Sequence, residues 1–323
     1  MEVLLGVDGG GTRTEALTVD LKGRIVGYGT AGPSNINLVG VEAAEREVVL
    51  AIKRALKPGL RIRRAVLGFA GAGRKGSLEK YTAIVKKLGF QNFTVTTDGF
   101  ISLIAATQFN PGVMVSAGTG TITMGIDGGG RVVRASGWGY LVGDEGSGFW
   151  IGSRILNMLS REIDGRSDVT GLADIVFKWF KVEDFDSLLE KIYSSKNPVV
   201  LIASLLEAVQ EVWHQHPVLY NIIQEAAREL ALGVAAVVKR LDLKPPVKVY
   251  YGGGVFNLGE RFIELFTREL KKLIGAVSVH GSTFKPVFGA VLYAFKLEGV
   301  DLEKVLEKLS LESTELKDFS NEG

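Results

Sequence analysis

Short apolar runs and helical apolar spacings alternate along the first 110 residues, which predicts a mixed α/β fold. Three apolar runs separated by glycine-rich turns predict an antiparallel meander near the start. Helices and buried strands alternate after it. The predicted elements are strands at Val3–Val7, Glu15–Asp20, Arg24–Thr30, Arg64–Ala70 and Phe93–Thr97, and helices at Val41–Leu56 and around Leu78–Leu88.

A second strand-rich segment begins at Val113, and the chain beyond it becomes mostly helical. Between about Gly146 and Arg240, amphipathic stretches predict helices around Ser153–Ile163, Val199–Trp213 and Leu219–Leu241. The polar tail from Ser310 is expected to be loose. Between these regions the pattern predicts strands at Lys248–Tyr251 and Val277–His280, and helices at Arg261–Ile274 and Val287–Phe295.

The two strand-rich segments repeat one another in sequence. Gly11-Thr12 aligns with Gly118-Thr119 at an offset of 107 residues, and the match continues through the next two strands. A duplicated unit predicts two similar halves that face each other, with both glycine turns in one cleft that can hold a polyphosphate. The further aligned pairs are Leu17 with Met124, Val19 with Ile126, Asp20 with Asp127, Gly23 with Gly130, Arg24 with Arg131 and Val26 with Val133.

Composition narrows the class of protein. A length of 323 residues favours two domains, and the turn-forming Asn110-Pro111-Gly112 is the predicted boundary. A net charge of +2 gives no reason to expect nucleic acid. No signal peptide and no apolar run of about 20 residues is evident, so a cytoplasmic protein without membrane contact is expected. The absence of cysteine excludes disulfides and cysteine-ligated clusters.

The two glycine turns are candidates for phosphate binding. In Asp8-Gly9-Gly10-Gly11-Thr12 the glycines allow a tight turn whose N–H groups can bind phosphate oxygens, and Thr12 and Thr14 add hydroxyl donors. Asp8 can hold a hydrated Mg²⁺. A plain hairpin turn is the alternative, but the repeat at Gly118-Thr119-Gly120 favours phosphate.

Other residues allow two readings each. Asp98 follows a strand, so it is either a general base for a substrate hydroxyl or an N-cap. Gly252-Gly253-Gly254 either lies against an adenine ring or only turns the chain. Asn35 or Asn37 either binds a polar ligand or caps the helix region near Val41. In the glycine-rich Ser136–Gly148, Asp144 and Glu145 either accept hydrogen bonds from sugar hydroxyls or begin the next helix.

A competing motif lies in the middle of the first half. Gly71-Ala72-Gly73-Arg74-Lys75-Gly76 has the G-x-G-x-x-G spacing after a predicted strand, and Asp98 follows 22 residues after Gly76. This is formally a dinucleotide fingerprint, and it would favour a nicotinamide-dependent dehydrogenase. The motif does not open the fold, and it leaves the two repeated glycine turns unexplained.

Several motifs in this order resemble the N-acetylglucosamine kinase branch of the BadF/BadG-type ATPase family, within the sugar kinase–heat-shock chaperone–actin superfamily. Archaeal and bacterial glucosamine and N-acetylglucosamine kinases and broad-specificity hexokinases are similar. The resemblance covers about residues 3–298. It rests on Val7–Thr14, Gly32–Asn35, Thr97–Gly99, Ser116–Thr121, Gly137–Gly139, Gly143–Ser147, Gly252–Val255 and Pro286–Ala290.

The resemblance implies a fold and a role for each matching residue. It implies two ribonuclease H-like (actin-like ATPase) domains, each a mixed five-stranded sheet flanked by helices, with a cleft between them; the limits would be 1–110 plus 287–323, and 111–286. Asp98 would be the catalytic base, and Asp8 would place Mg²⁺. The nucleotide residues would be Gly9, Gly10, Gly11, Thr12, Arg13, Thr14, Gly118, Thr119, Gly120, Thr121, Gly252, Gly253 and Gly254; the sugar residues would be Asn35, Asp98, Thr119, Gly137, Trp138 and Asp144.

The implied activity is ATP-dependent phosphorylation of an amino sugar or hexose at its 6-hydroxyl, with glucosamine or N-acetylglucosamine as the acceptor. A homodimer is expected from such relatives. The dehydratase activators in the same family need cysteines for an iron–sulfur cluster, and this chain has none. Thr121 replaces the usual serine and keeps the hydroxyl. An actin-like ATPase that acts as a nucleotide-dependent switch, and the dehydrogenase, stay as alternatives.

Overall fold

Two five-stranded sheets organise the chain, and the computed structural model describes residues 1–319, with side chains to residue 313. The strands of the first sheet are β1 (Glu2–Gly9), β2 (Thr14–Asp20), β3 (Ile25–Ala31), β4 (Arg61–Phe69) and β5 (Phe93–Thr97). Those of the second are β6 (Gly112–Ala117), β7 (Thr121–Ile126), β8 (Val132–Ser136), β9 (Val247–Gly252) and β10 (Val277–Gly281).

The two sheets have the same topology. The spatial orders are β3-β2-β1-β4-β5 and β8-β7-β6-β9-β10, with the first three strands of each antiparallel and the rest parallel. The prediction of two mixed five-stranded sheets flanked by helices is confirmed. The chain divides into two compact units: a first unit with residues 1–109 and the described residues from 282, and a second unit with residues 110–281. The predicted domain limits at 110 and 286 stay a prediction.

Helices connect the strands. They are α1 (Ile36–Val39), α2 (Val41–Ala55), α3 (Lys75–Lys87), α4 (Asp98–Thr107), α5 (Gly148–Ile163), α6 (Leu172–Phe180), α7 (Phe185–Tyr193), α8 (Pro198–Ala203), α9 (Leu205–Val209), α10 (Pro217–Leu241), α11 (Glu260–Ile274), α12 (Pro286–Leu297) and α13 (Glu303–Phe319). A 3₁₀ turn covers Gly254–Leu258.

Side chains along β1 alternate between the two faces of the first sheet, and each face has its own apolar core. Leu5 and Val7 face α2 and α3, whereas Leu4 faces the side covered by α4, α12 and α13. On that second side α12 approaches the sheet closely, because an added Cβ on Gly6 would lie 2.7 Å from the backbone oxygen of Val287. Asp8 therefore projects from the face that α4 and α12 cover.

The second unit has one large core. Helix α10 packs on β6, β7 and β8, and α11 packs against α10. Apolar residues of α5, α6, α7 and α9 extend this core away from the sheet, and the indole nitrogen of the buried Trp213 donates to the backbone oxygen of Leu258 at 3.2 Å. The helical region is divided more finely than predicted, since five helices occupy residues 148–209, before α10.

The prediction of a loose tail from Ser310 is wrong through residue 319. The helix α13 continues through it, Leu309 is buried, and the carboxylate of Glu312 accepts from the backbone nitrogen of Ile25 at 2.5 Å. This contact covers a backbone donor at the edge strand β3. The polar composition misled the prediction because one apolar side of the helix is enough for docking.

Candidate active site

In the first unit, the carboxyl ends of three parallel strands meet at one edge of the sheet. Gly9 is in register with Phe69, and Phe69 is in register with Thr97. The segments that follow these residues are the first glycine turn, the Gly71 turn and the start of α4. Ligands in open α/β sheets bind at such an edge. The register therefore brings together Asp8, Gly71 and Asp98, which are far apart in sequence.

The first glycine turn is fixed by the segment that carries Asn35. The backbone nitrogens of Ser34 and Asn35 both donate to the Gly10 oxygen, at 3.1 and 3.2 Å. The Thr14 hydroxyl donates to the Ser34 hydroxyl at 2.8 Å. An added Cβ on Gly9 would lie 2.5 Å from the same hydroxyl, so this position needs glycine. Thr14 thus holds the turn from inside, buried and away from solvent.

Asn35 lies beside the Gly71 turn. Its side-chain oxygen caps α1 by accepting from the backbone nitrogen of Asn37 at 3.1 Å, whereas Gly40 precedes α2. Of the two asparagines that could cap the helix region near Val41, Asn35 therefore caps the short helix α1, and neither caps α2. Gly71 has φ +80°, and an added Cβ would lie 2.4 Å from the Asn37 amide nitrogen. This crowding explains the glycine of the fingerprint-like motif without a pyrophosphate.

Asp98 does not cap α4. The hydroxyl of Thr97 accepts from the backbone nitrogen of Phe100 at 3.1 Å, and Asp98 is the first helical residue. Its carboxylate accepts from the Gly99 nitrogen at 2.8 Å. Burial raises the pKa of the Asp98 carboxyl, and the hydrogen bond from Gly99 partly opposes this rise. Because Thr97 does the capping, the Asp98 carboxylate is left for another role.

Asp8 is an unusually placed acid. Burial raises the pKa of its carboxyl well above the ordinary value, and the charges of Asp98 and Glu15 raise it further, while Arg13 opposes them. The three carboxylates therefore interact electrostatically on one side of the first sheet. A bound cation would relieve their repulsion.

Sequence reasoning missed Glu15. It is directly opposite Asp8 in the β1–β2 pair, so the two side chains share a face of the sheet. Only 2% of Glu15 is exposed; it accepts a hydrogen bond from the Tyr28 hydroxyl and lies 3.6 Å from both the Arg13 guanidinium and the Lys285 ammonium. Counting residues across the glycine turn would have revealed the pairing, because a hairpin's turn length sets its register.

The second glycine turn is built differently. The Gly118 nitrogen donates to the Gly120 oxygen at 2.8 Å, and the Thr121 hydroxyl donates to the Ser116 oxygen at 3.0 Å. The turn is tied to the start of α5, where the nitrogen of Gly148 donates to the Gly118 oxygen at 2.7 Å. An added Cβ on Gly118 would meet nothing within 4 Å, so this glycine borders open space.

Asp144 joins the second glycine turn to the tryptophan loop, residues 137–143. Its carboxylate accepts from the Gly139 nitrogen at 3.2 Å, and an added Cβ on Gly120 would lie 2.6 Å from its other oxygen. Asp144 does not begin α5, because Ser147 is the N-cap. Burial raises the pKa of the Asp144 carboxyl. The Trp138 ring is 61% exposed, with the Arg134 guanidinium 4.2 Å from its centre.

The third glycine motif contains one glycine that the fold requires and one that borders open space. Gly253 has φ +93°, and an added Cβ would lie 2.4 Å from the Ala117 oxygen, so the fold requires glycine there. Gly254 is exposed, and an added Cβ would meet nothing within 4 Å. Gly252 is in register with Ser116 at the end of β6, so this motif lies beside the second glycine turn.

Comparison with known proteins identifies a family for this chain. The sequence pattern of the "BadF/BadG/BcrA/BcrD ATPase family" matches residues 5–294. An N-acetylmuramic acid/N-acetylglucosamine kinase of Clostridium acetobutylicum is 31% identical over 91% of this chain and 98% of its own length. An N-acetyl-D-glucosamine kinase of Dictyostelium discoideum is 27% identical over the same shares. The crystal structure of a candidate N-acetylglucosamine kinase from Chromobacterium violaceum has the same fold, with a TM-score of 0.73, 23% identity, and coverage of 90% and 98%.

Proposed function

The chain belongs to the BadF/BadG/BcrA/BcrD ATPase family, and we propose that it transfers the terminal phosphoryl group of ATP to the 6-hydroxyl of an amino sugar. Two curated relatives that span most of this chain are named as kinases of N-acetylated amino sugars. The observation that carries the assignment of the reacting group is the partly buried carboxylate of Asp98, which is free of capping duty at the same sheet edge as Asp8.

Asp98 is the proposed general base. Its raised pKa suits a group that must take a proton from an alcohol as the phosphoryl group arrives. Asn35 is held beside the Gly71 turn, so it is placed at the same sheet edge. We assign sugar binding to Asn35 in the first unit, and to Thr119, Gly137, Trp138 and Asp144 in the second.

We assign the phosphates of ATP to the two glycine turns, which are residues 9–13 and 118–121, with the buried Thr14 supporting the first turn from behind. Phosphoryl transfer depends mainly on positioning and on neutralising charge, and turns of this kind present backbone N–H groups for both. The open Gly254 supports placing the adenosine against residues 252–254, because a flat ligand can approach only where no side chain stands.

Asp8 is the proposed ligand of a magnesium ion. Burial and the neighbouring carboxylates raise the pKa of the Asp8 carboxyl, and a divalent cation would stabilise its charged form. The described residues contain no group of three or more acidic, histidine or cysteine side chains that could hold a metal by themselves. One carboxylate with waters and substrate phosphates is the usual way in which Mg²⁺ binds, so the residues fit this ion. When bound, it would neutralise charge on the terminal phosphates.

A panel of sugars assayed with Mg-ATP tests the proposal, with the phosphorylated position read by NMR. We expect turnover with glucosamine or N-acetylglucosamine and a 6-phosphate product. ATP turnover that does not depend on sugar, and that responds to a protein partner, would favour the actin-like switch. Stabilisation by NAD and not by ATP in a thermal-shift scan would favour the dehydrogenase.

A further inference from the structure

A cavity of about 260 Å³ in the second unit lies next to the tryptophan loop. Trp138 and Glu145 form its wall on one side, and Glu229 and Gly233 of α10 form it on the other. Pockets for drug-sized ligands usually measure about 300–1,000 Å³. The cavity therefore suits a small group that extends from a sugar at the loop, and not a nucleotide.

One buried polar group points into this cavity without a partner. Thr123 lines it and is only 1% exposed, and its hydroxyl has no hydrogen-bond partner among the residues that the structure describes. The absence of a side chain at Gly233 keeps the hydroxyl accessible, because an added Cβ would lie 2.9 Å from it. A buried hydroxyl normally has a partner, so a bound group is expected to supply one.

The cavity is also negatively charged. Neither Glu145 nor Glu229 forms an ion pair with a described residue. Burial raises the pKa of the Glu229 carboxyl, and the charges of Glu145 and Glu225 raise it further, while Arg228 and Arg154 lower it. Arg154 is already paired with Glu225 at 3.4 Å. A cation between the two carboxylates would remove their repulsion.

We propose that this cavity binds a primary ammonium group, and that it makes the enzyme select sugars with a free 2-amino group. An ammonium has three donors and no acceptor, which matches two carboxylates and a free hydroxyl oxygen. N-acylation removes the charge, and a carboxylate on the sugar would be repelled. This inference rests on the proposed sugar kinase activity, and it adds which amino sugars that activity prefers.

Charge-removing variants test the selection. The measurement is kcat/KM for glucosamine relative to that for N-acetylglucosamine in the parent protein and in Glu229→Gln. We expect the ratio to fall about tenfold, the change that one lost charge-assisted contact of about 1.4 kcal/mol produces. Glu145→Gln is exposed and should act in the same direction if Glu229→Gln folds poorly. An unchanged ratio in both variants overturns the inference.

Glu225→Gln is the matched control. It removes the same charge one turn earlier on α10 and outside the cavity, so the ratio should stay within about twofold of the parent value. A fall as large as that of Glu229→Gln would mean that general electrostatics, and not the cavity, sets the preference.

Binding without turnover separates this inference from the proposed function. Titration calorimetry with glucosamine and no ATP should show weaker binding in Gly233→Ala, whose added methyl would lie against the Thr123 hydroxyl. Alanine favours a helix over glycine by about 1 kcal/mol, which opposes the cost of this close contact, and a thermal melt checks that the variant folds. A parent protein that phosphorylates no sugar contradicts the proposed function alone. If the parent is active and its Gly233→Ala variant binds glucosamine equally well, only the inference that the cavity binds the ammonium group is contradicted.

Discussion

The turn after the second strand of the sheet is built in the same way in the first and second units. In each, an aspartate at the end of the second strand accepts two backbone N–H groups at 2.9 Å, from residues two and four positions later. The glycines three positions later have φ +84° and +81°. The residues are Asp20 with Gly23, and Asp127 with Gly130. This identity of contacts follows the sequence repeat.

The glycine turns of the two units differ. Four residues connect β1 to β2, but three connect β6 to β7, so the register counterpart of Asp8 is Ser116. The counterpart of Glu15 is Ile122. The facing pair of acids, Asp8 and Glu15, therefore occurs only beside the first turn, whereas the acid at the second turn, Asp144, comes from a loop. If both turns bind phosphate as we propose, backbone geometry is what they share, and the proposed acid–base and metal-binding carboxylates belong to the first unit.

The largest effect should come from Asp98, the proposed general base in the first unit. Asp98→Asn should lower kcat by about two to four orders of magnitude, because an amide cannot accept the proton, while ATP affinity stays near the parent value. Steady-state kinetics and nucleotide titration measure the two quantities. If the variant turns over sugar at the parent rate, Asp98 is not the base. The assignment of the acid–base chemistry to the first unit would then be wrong.

Replacing the counterparts Asp8 and Ser116 tests the comparison at one register position. Asp8→Asn should lower kcat/KM for Mg-ATP by about a hundredfold, since it removes the charge that we assign to magnesium, and the loss should shrink as magnesium is raised. Ser116→Ala should change the same constant by less than about threefold. Equal losses in both variants would mean that the two turns contribute alike.

The raised pKa of Asp98 predicts an activity profile and a stability profile. A base with a raised pKa is protonated at higher pH, so activity should begin to fall, as pH decreases, above the usual aspartate value of about 3.9. The same group stabilises the fold below its unfolded pKa and loses that contribution as pH rises through its folded pKa. Asp98→Asn should therefore melt higher than the parent near pH 7, and the difference should vanish near pH 4. A constant difference across this range would contradict the shift.

Apolar periodicity was enough to predict both sheets and most helices from sequence, because each strand and helix buries a continuous apolar face. The glycine repeat was enough to predict a glycine turn between the first two strands of each sheet. The sequence could not reveal that Thr97 caps α4, since Thr97 and Asp98 are both good caps and only backbone geometry chooses between them. The sequence also could not reveal the contacts around Glu15, because Lys285, the residue before α12, lies 270 residues away in sequence.

The third glycine motif offers a smaller test. Gly253→Ala should destabilise the fold by about 1–3 kcal/mol, because the added methyl meets the Ala117 oxygen at a positive φ. Gly254→Ala should leave stability within about 0.5 kcal/mol and raise KM for ATP. Chemical denaturation and ATP kinetics separate the two. A destabilised Gly254→Ala with an unchanged KM would remove the reason to place adenosine there.

The smallest expected effect concerns the shared hairpins. Asp20→Ala and Asp127→Ala each remove a carboxylate that accepts two backbone N–H groups at an exposed turn, so each should lower the free energy of unfolding by less than Gly253→Ala does. Hydrogen bonds from the backbone nitrogens of Arg131 and Gly129 also lower the pKa of the Asp127 carboxyl. Neither variant should change kcat, because both turns lie at the opposite end of the strand pair from the glycine turn. Equal losses of unfolding free energy, measured by denaturation, would show that the two turns contribute equally to stability as well as sharing a geometry. A loss of kcat in one variant alone would mean that the two aspartate turns have different roles. The two units would then differ at both ends of the hairpin.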